Sequence, residues 1–305
     1  ISCPCSIPWI YSPKRHHKSQ KRTTSPLQPL ANGNTKDKVT KMNIRQIRNA
    51  TLRIEYAGKI FLIDPWLAKK GAMGSFADFP DSKMSDPTNL HVKMPMCELP
   101  FPAEEVISGV NAYLLTHLHP DHFDIDPVTM TGGHSLDKNV PIWVQNDKEA
   151  KFMEHSGFRN IGVFSATGTR FDDITISKVP AVHGTEKPCG PACGLILKHP
   201  LEKTLYIAGD TIWCDDVKKT IKQYKPDIIV ANACAASLLD FGRLIMDDQD
   251  LAALHDTCPD ATLIASHMDT VAHATLTRKT LREKLAGKGI LESFLIPADG
   301  EFLRF

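Results

Sequence analysis

Apolar and polar residues alternate in short runs that predict an α/β protein after residue 41. Strand patterns cover residues 43–47, 51–56 and 59–63, and the apolar run 111–116 has the length of a buried strand. Further strands are predicted at residues 142–145, 161–164, 174–182, 194–198, 204–208, 227–231, 261–265, 291–296 and 302–305. Helical patterns cover residues 147–156, 215–224, 247–256 and 277–288, with N-caps at Asp215, Asp247 and Thr277 and a stop at Gly287 and Gly289. Strands that alternate with helices are typical of packed α/β layers.

Residues 1–41 have a different composition from the rest of the chain. They carry eight Lys or Arg against one acid, Asp37, and lack sustained apolar periodicity, which predicts a disordered basic leader. The leader is interpreted either as a targeting segment or as sequence that is not native, with Met42 as the functional start. The remaining residues carry a net charge of about −6. This acidic body argues against a nucleic-acid partner.

The motif His117-Leu118-His119-Pro120-Asp121-His122 directly follows the strand predicted at residues 111–116. Three imidazoles and a carboxylate within six residues can serve two neighbouring cations. The alternative is a surface loop that happens to be rich in histidine. Further polar residues at the ends of later predicted strands favour the metal interpretation.

Those later residues are His183, Asp210 and His267, and each follows its own apolar run. Any one of them alone is more often a turn or capping residue. Together they complete a set of seven ligands for two metals: His117, His119 and His183 for one, Asp121, His122 and His267 for the other, and Asp210 between them. Asp121 and Asp210 are therefore predicted to be catalytic as well as metal-binding residues.

A centre with these ligands predicts hydrolysis by a metal-bridging hydroxide. Two divalent cations, with zinc favoured over manganese or iron, lower the pKa of a shared water from about 15.7 toward roughly 7. Such a centre needs no protein nucleophile, and the chain contains no G-x-S-x-G nucleophile elbow.

The order of these motifs resembles the metallo-β-lactamase superfamily, whose pattern is H-x-H-x-D-H, a lone His, a Gly-Asp and a final His. The match extends from about Met42 to the C-terminus. The contexts of Asp64, His183 and Asp210 most resemble the branch that contains ascorbate-6-phosphate lactonase. The resemblance implies a four-layer αβ/βα sandwich with two mixed sheets, formed by residues 42–305 as the catalytic domain.

Several relatives are disfavoured by departures from their patterns. A bridging Asp210 argues against true β-lactamases, and His119 stands where flavo-diiron proteins usually have Glu. The 56 residues between Asp210 and His267 leave no room for the cassette of RNA-cleaving relatives.

A few residues have weaker predicted roles. Asp64 is expected to hydrogen-bond near the metal loop, or else to be a turn residue before Pro65. His273 is expected to donate a proton or bind substrate, with a structural histidine as the alternative, and Asp269 to support His267. Cys189 and Cys193 are expected to line the substrate pocket, with a zinc knuckle as the less favoured reading.

The predicted reaction is hydrolysis of a small cyclic ester or amide, a lactone or lactam. The alternative is a phosphodiesterase acting on a lipid or nucleotide, for which Lys69, Lys70 and Lys187 are the candidate phosphate-binding residues.

Residues 67–104, rich in Pro and Met, are predicted to cover the mouth of the site. Cysteine usage and the absence of a long apolar run predict a cytoplasmic protein without a membrane span, acting on a small molecule. Assembly into a homo-oligomer is left open.

Overall fold

Two seven-stranded sheets form the centre of the protein. The computed structural model describes residues 42–79, 83–165 and 167–305, so the predicted leader lies outside the described residues. The first sheet contains, in spatial order, β18 (Phe302–Arg304), β1 (Asn43–Arg48), β2 (Thr51–Tyr56), β3 (Lys59–Ile63), β4 (Ala112–Leu114), β7 (Ile142–Val144) and β8 (Ile161–Val163). The second contains β17 (Phe294–Leu295), β16 (Thr262–Ser266), β13 (Ile228–Asn232), β12 (Leu205–Ile207), β11 (Cys193–Lys198), β10 (Ile174–Pro180) and β9 (Thr169–Phe171). Two short hairpins pair β5 (Ile125–Asp126) with β6 (Thr131–Gly132) and β14 (Ser237–Leu238) with β15 (Gly242–Arg243).

Alternation along the strands determines which residues pack between the sheets. In β3, Phe61 and Ile63 join the inner core, whereas Leu62 belongs to the outer core of its sheet. In β13, Val230 joins the same inner core and Ile229 packs on the opposite face. Strands that are apolar on both faces therefore need a second sheet on one side and helices on the other.

Helices cover both outer faces. Val106 of α1 (Ala103–Ile107) and Phe152 of α2 (Asp147–His155) pack with Leu62 on the first sheet. On the second sheet, α3 (Asp215–Tyr224), α4 (Asp248–Thr257) and α5 (Arg278–Gly287) bury Val217, Leu254 and other apolar side chains in the core cluster of Ile229. The layers are helix, sheet, sheet, helix, which confirms the predicted four-layer sandwich with mixed sheets.

The element predictions were wrong in a few places. Only Phe294–Leu295 of the strand predicted at residues 291–296 pairs, because Leu291–Ser293 forms a 3-10 turn first. The N-cap of α3 is Cys214, one residue before the predicted Asp215. Helix α1 and strand β9 were not predicted, since each is at most five residues long and shows little periodicity.

Among the described residues, no helix has the length and apolar character that a membrane crossing requires.

Candidate metal centre

Strand direction brings the predicted ligands toward a common site. β3 and β4 run parallel, as do β12, β13 and β16. β10 has the direction of β12, because both are antiparallel to β11. The residues that follow the carboxyl ends of β3, β4, β10, β12 and β16 include Asp64, His117, His183, Asp210 and His267, respectively. In sheets with parallel strands, ligand-binding sites usually lie at the carboxyl ends of those strands.

All seven predicted ligands are buried and lie together. Their ligand atoms fall into three groups within which every pair is closer than 4.8 Å. The groups are His117, His119 and His183; His117, His122 and Asp210; and Asp121, His122 and His267. We call the first group the three-histidine cluster and the last group the carboxylate cluster.

The three-histidine cluster has ring nitrogens that face one another. His119 Nδ1 lies 3.0 Å from His117 Nε2 and 3.3 Å from His183 Nε2. Burial lowers the pKa of His117 well below its ordinary value, that of His119 to about 3, and that of His183 as well. The rings are therefore neutral at physiological pH, with lone pairs available to a cation.

The carboxylate cluster favours positive charge instead. His267 Nε2 lies 3.3 Å from Asp121 Oδ2. Burial opposes protonation of His122, but the carboxylates of Asp210 and Asp64 outweigh it and raise its pKa to about 10. His122 Nε2 has no aligned hydrogen-bond partner among the described residues, although Asp210 Oδ1 is 3.3 Å away. An orphaned buried nitrogen between carboxylates is a suitable position for a metal ion.

Asp210 lies between the two clusters. Its Oδ1 faces His122, and its Oδ2 lies 3.8 Å from His117 Nε2 and 3.7 Å from His183 Nε2. Burial raises the pKa of this carboxyl, but the surrounding histidines hold it well below its usual range. The preceding Gly209 has φ +65°, and a Cβ there would lie 2.6 Å from the Cys193 carbonyl oxygen, so only glycine allows this approach.

The spacing of the ligand atoms fits metal coordination. A tetrahedral zinc ion about 2.1 Å from its ligands holds them about 3.4 Å apart. The ligand-atom separations given above run from 3.0 to 3.8 Å. Five imidazoles and two carboxylates are also the donor types that zinc, manganese and iron accept.

Asp64 connects the first sheet to the metal loop. Its Oδ1 accepts a hydrogen bond from Thr116 N at 2.7 Å, and its Oδ2 accepts from Thr116 Oγ1 at 2.7 Å. Oδ2 also lies 2.9 Å from His122 Nδ1. With Nδ1–H donated to Asp64, His122 keeps Nε2 free for a cation. Asp64 therefore makes the contact expected of it and is more than a turn residue.

Two asparagines near the ligands were missed by the sequence analysis. Asn49, in the turn after β1, donates from Nδ2 to the Asp121 carbonyl at 3.0 Å and accepts from His267 N at 3.0 Å. Asn232 donates from Nδ2 to Asp210 Oδ1 at 2.7 Å. Asn232 is the last residue of β13, so the strand-end criterion that identified the ligands would also have identified it. Asn49 has φ +53°, which asparagine tolerates in tight turns, and that was its available signal.

His273 is buried beside the centre, against the edge of Phe76 at a ring separation of 5.1 Å. Its Nδ1 is buried without a hydrogen-bond partner among the residues that the structure describes. Burial lowers the pKa of His273 to about 4, so the ring is neutral at physiological pH. Asp269 bonds Arg278 through both oxygens at 3.1 Å, so its carboxylate is engaged away from the predicted partner His267.

The two cysteines after His183 are buried. Cys189 and Cys193 are 0% and 2% exposed, as little as the ligands themselves, and their role in lining the substrate pocket stays a prediction. The Cys193 thiol donates to the Thr116 carbonyl at 3.1 Å. Neither belongs to a group of metal-ligating side chains in the described part of the chain, which removes the zinc-knuckle alternative there.

The predicted cover, residues 67–104, contacts the loops around the ligands. Met84 pairs with Leu238, Leu239 N donates to the Lys83 carbonyl, and Met96 N donates to the Thr270 carbonyl. Phe76 from the same segment contacts His273. The cover therefore reaches the site with backbone hydrogen bonds, with the Ser85–Ser237 hydroxyl pair at 2.9 Å and with the apolar ring of Phe76.

A cavity of about 930 Å³ is lined by residues of the cover and by Pro120 of the metal loop. Trp66, Lys69, Asp124 and His134 are among its lining residues, and Pro120 is its contact with the metal loop. His134 belongs to none of the groups of metal-ligating side chains found among the described residues.

Comparison with known proteins agrees with this geometry. Residues 60–268 match the family model described as beta-lactamase superfamily domain. The UPF0173 protein YddR of Bacillus subtilis is 41% identical over 268 residues, which is 87% of this chain and 100% of that protein.

Two solved structures are also similar. The isothiocyanate hydrolase from Delia radicum gut bacteria superposes with a TM-score of 0.78 at 39% identity, over 87% of this chain and 99% of that one. A possible metal-dependent hydrolase from Veillonella parvula gives a TM-score of 0.78 at 32% identity, over 87% of this chain and 100% of that one. The predicted superfamily resemblance is confirmed. This chain belongs to the beta-lactamase superfamily, within its UPF0173 group, and is a metal-dependent hydrolase.

Proposed function

We propose that residues 42–305 hydrolyse a small uncharged molecule at an electrophilic carbon, and that an isothiocyanate is its substrate class. The observation that carries the proposal is the 39% identity to an isothiocyanate hydrolase over nearly that whole chain, together with the ligand arrangement around Asp210. The proposed partner is a small molecule in the cytoplasm. A nucleic-acid partner is not proposed, because residues 42–305 carry a net negative charge.

We assign two divalent cations to the centre, with zinc first and manganese or iron as alternatives. His117, His119 and His183 would hold one, Asp121, His122 and His267 the other, and Asp210 both. When bound, the cations lower the pKa of water and polarise the substrate. The protein's own contribution is to keep these side chains buried and oriented before substrate arrives.

The reaction balances without a further co-reactant. Water adds its oxygen to the central carbon of R–N=C=S, the bond from that carbon to nitrogen breaks, and both protons end on nitrogen. The products are an amine and carbonyl sulfide. We assign His273 to hydrogen-bond a substrate heteroatom, because its buried Nδ1 has no partner among the described residues.

The surroundings of the centre support a neutral substrate. Phe76, Met84 and Leu238 are buried in the cover and in the loop that it contacts. Lys187, one candidate phosphate-binding residue, lies over the Phe241 ring at 4.8 Å. The predicted lactone or lactam shares the same electrophilic carbon and stays a prediction, as does the phosphodiester.

The test is a substrate panel with zinc-loaded protein: benzyl isothiocyanate, γ- and δ-lactones, and bis-p-nitrophenyl phosphate. We expect benzylamine and carbonyl sulfide in equal amounts, at a rate well above those for the other compounds. Metal-stripped protein corrects for reaction of the isothiocyanate with cysteine thiols. Faster turnover of a lactone or of the phosphodiester would replace the isothiocyanate assignment. Elemental analysis of protein purified without added metal checks the centre independently, with about two equivalents expected.

A further inference from the structure

His267 differs from His117, His122 and His183 in the atom that its second ring nitrogen contacts. His117, His122 and His183 direct Nε2 at the centre and place Nδ1 near oxygen: Thr116 Oγ1 at 3.1 Å, Asp64 Oδ2 at 2.9 Å and the Leu244 carbonyl at 3.0 Å. His267 also directs Nε2 at the centre, but its Nδ1 lies 3.5 Å from the sulfur of Cys234. Cys234 is fully buried and is not in a disulfide.

The position of Cys234 follows from β13. Asn232, the last residue of that strand, bonds Asp210 Oδ1, and Cys234 follows two residues later. Cys234 lies in the bend that follows the strand, so one short segment contacts two different ligands, Asp210 and His267. The Cys234 backbone is fixed in turn, because its carbonyl accepts from Thr275 N at 3.0 Å and Leu276 N at 2.9 Å.

We propose that Cys234 is a positioning residue for the carboxylate cluster, which accepts the Nδ1–H of His267 and keeps Nε2 directed at the second cation. Sulfur is a weak hydrogen-bond acceptor, so it orients and activates the imidazole less than oxygen does. Backbone strain adds to this, because His267 has φ +64°, a conformation that is uncommon outside glycine. The second cation is accordingly the weaker bound of the two. The inference rests on the ligand set assigned under the proposed function.

The test is the zinc affinity of wild-type protein and of Cys234→Ala and Cys234→Ser, measured by competition with a chromophoric chelator. In Cys234→Ala we expect the second zinc equivalent to bind about tenfold more weakly, while the first changes less than about twofold. Cys234→Ser restores an acceptor, and a stronger one than sulfur, so it should bind the second zinc at least as tightly as wild-type protein. Cys258→Ala is the matched control, since that thiol donates to the Leu254 carbonyl in α4 and is remote from the centre.

The outcomes separate this inference from the metal assignment. Two unchanged equivalents in Cys234→Ala would overturn the role of Cys234 and leave the seven ligands standing. Absence of a second equivalent from wild-type protein would overturn both. Equal weakening of both equivalents, with no recovery in Cys234→Ser, would indicate a packing defect and would also overturn the role. Far-ultraviolet circular dichroism of each metal-free variant identifies any that fail to fold. If Cys234→Ala does not fold, the zinc affinities of Cys234→Ser and wild-type protein are compared instead.

Discussion

The two clusters of the centre share burial but differ in charge. Around the three-histidine cluster, burial dominates and the pKa values of His117 and His119 fall. Around the carboxylate cluster, burial is as complete, yet the carboxylates of Asp210 and Asp64 raise the pKa of His122, and Cys234 together with Asp210 and Asp121 raises the pKa of His267. The three-histidine cluster is thus a neutral, nitrogen-rich position, and the carboxylate cluster beside it is a position where positive charge is favoured.

The clusters also differ in how firmly their ligands are held. Each cluster draws two ligands from the metal loop, and the third ligand of the three-histidine cluster, His183, has its Nδ1 against a backbone carbonyl. The carboxylate cluster depends on His267, which has left-handed backbone and a sulfur contact, and on the turn residue Asn49. We therefore expect the carboxylate cluster to respond more strongly to substitution.

The largest expected effect is from Asp210→Ala, which removes the carboxylate between the clusters. Two neighbouring cations then repel each other with less compensation. Activity should fall by about a thousandfold or more, with the second metal weakened more than the first. Metal content and kcat/KM measure both effects, and His134→Ala should be nearly silent. Retention of two metals and most activity in Asp210→Ala would remove the bridging assignment.

Removing one ligand from each cluster compares the clusters directly. His267→Ala should weaken one equivalent of zinc by more than about 100-fold and leave the other bound, because the three-histidine cluster is intact. His183→Ala should weaken the complementary equivalent, again leaving one. Chelator competition on both variants gives the two affinities. If either substitution released both metals together, the clusters would be one cooperative site and the comparison would fail.

An intermediate effect is expected from Asp64→Asn. The amide keeps the size of the carboxylate, but it brings a donor toward Thr116 Oγ1 and His122 Nδ1, which both need an acceptor. Affinity for the second metal should fall about 10- to 100-fold, as for outer hydrogen-bond partners of metal ligands. The readout is again the second zinc equivalent. A variant with unchanged affinity would show that His122 is oriented by other contacts.

The smallest effect concerns Glu149, which faces the backbone of Leu118 in the metal loop. Burial raises its pKa from 4.5 to about 7, so the folded protein binds this proton more tightly than the unfolded chain. The stabilisation is complete below the unfolded pKa and is lost as pH rises through about 7, a change on the order of 3 kcal/mol. Glu149→Gln should therefore narrow the difference in Tm between about pH 5 and about pH 8. Glu154→Gln, on the exposed side of the same helix, is the control, and an unchanged difference in Glu149→Gln would contradict the assignment.

Local sequence patterns predicted the bounds of a helix or strand correctly where one or both of its faces had to be apolar. β2, β3 and α3 have the predicted bounds, because their periodicity is strong and turns or caps end them sharply. The pattern was insufficient at β17, where the partner strand β16 decides which residues pair. Short paired segments such as β14 and β15 exist because the chain is held there by its neighbours.

The sequence alone determined which residues end strands with imidazole or carboxylate side chains, since this follows from local apolar runs and residue chemistry. The tertiary structure decided which atoms face each other. It placed Asp210 between the clusters, put the carboxylate of Asp64 on His122, engaged Asp269 with Arg278, and brought Cys234 to His267. These contacts join residues far apart in the chain, and many of them rest on left-handed turns and on the packing of two sheets, which no local periodicity encodes.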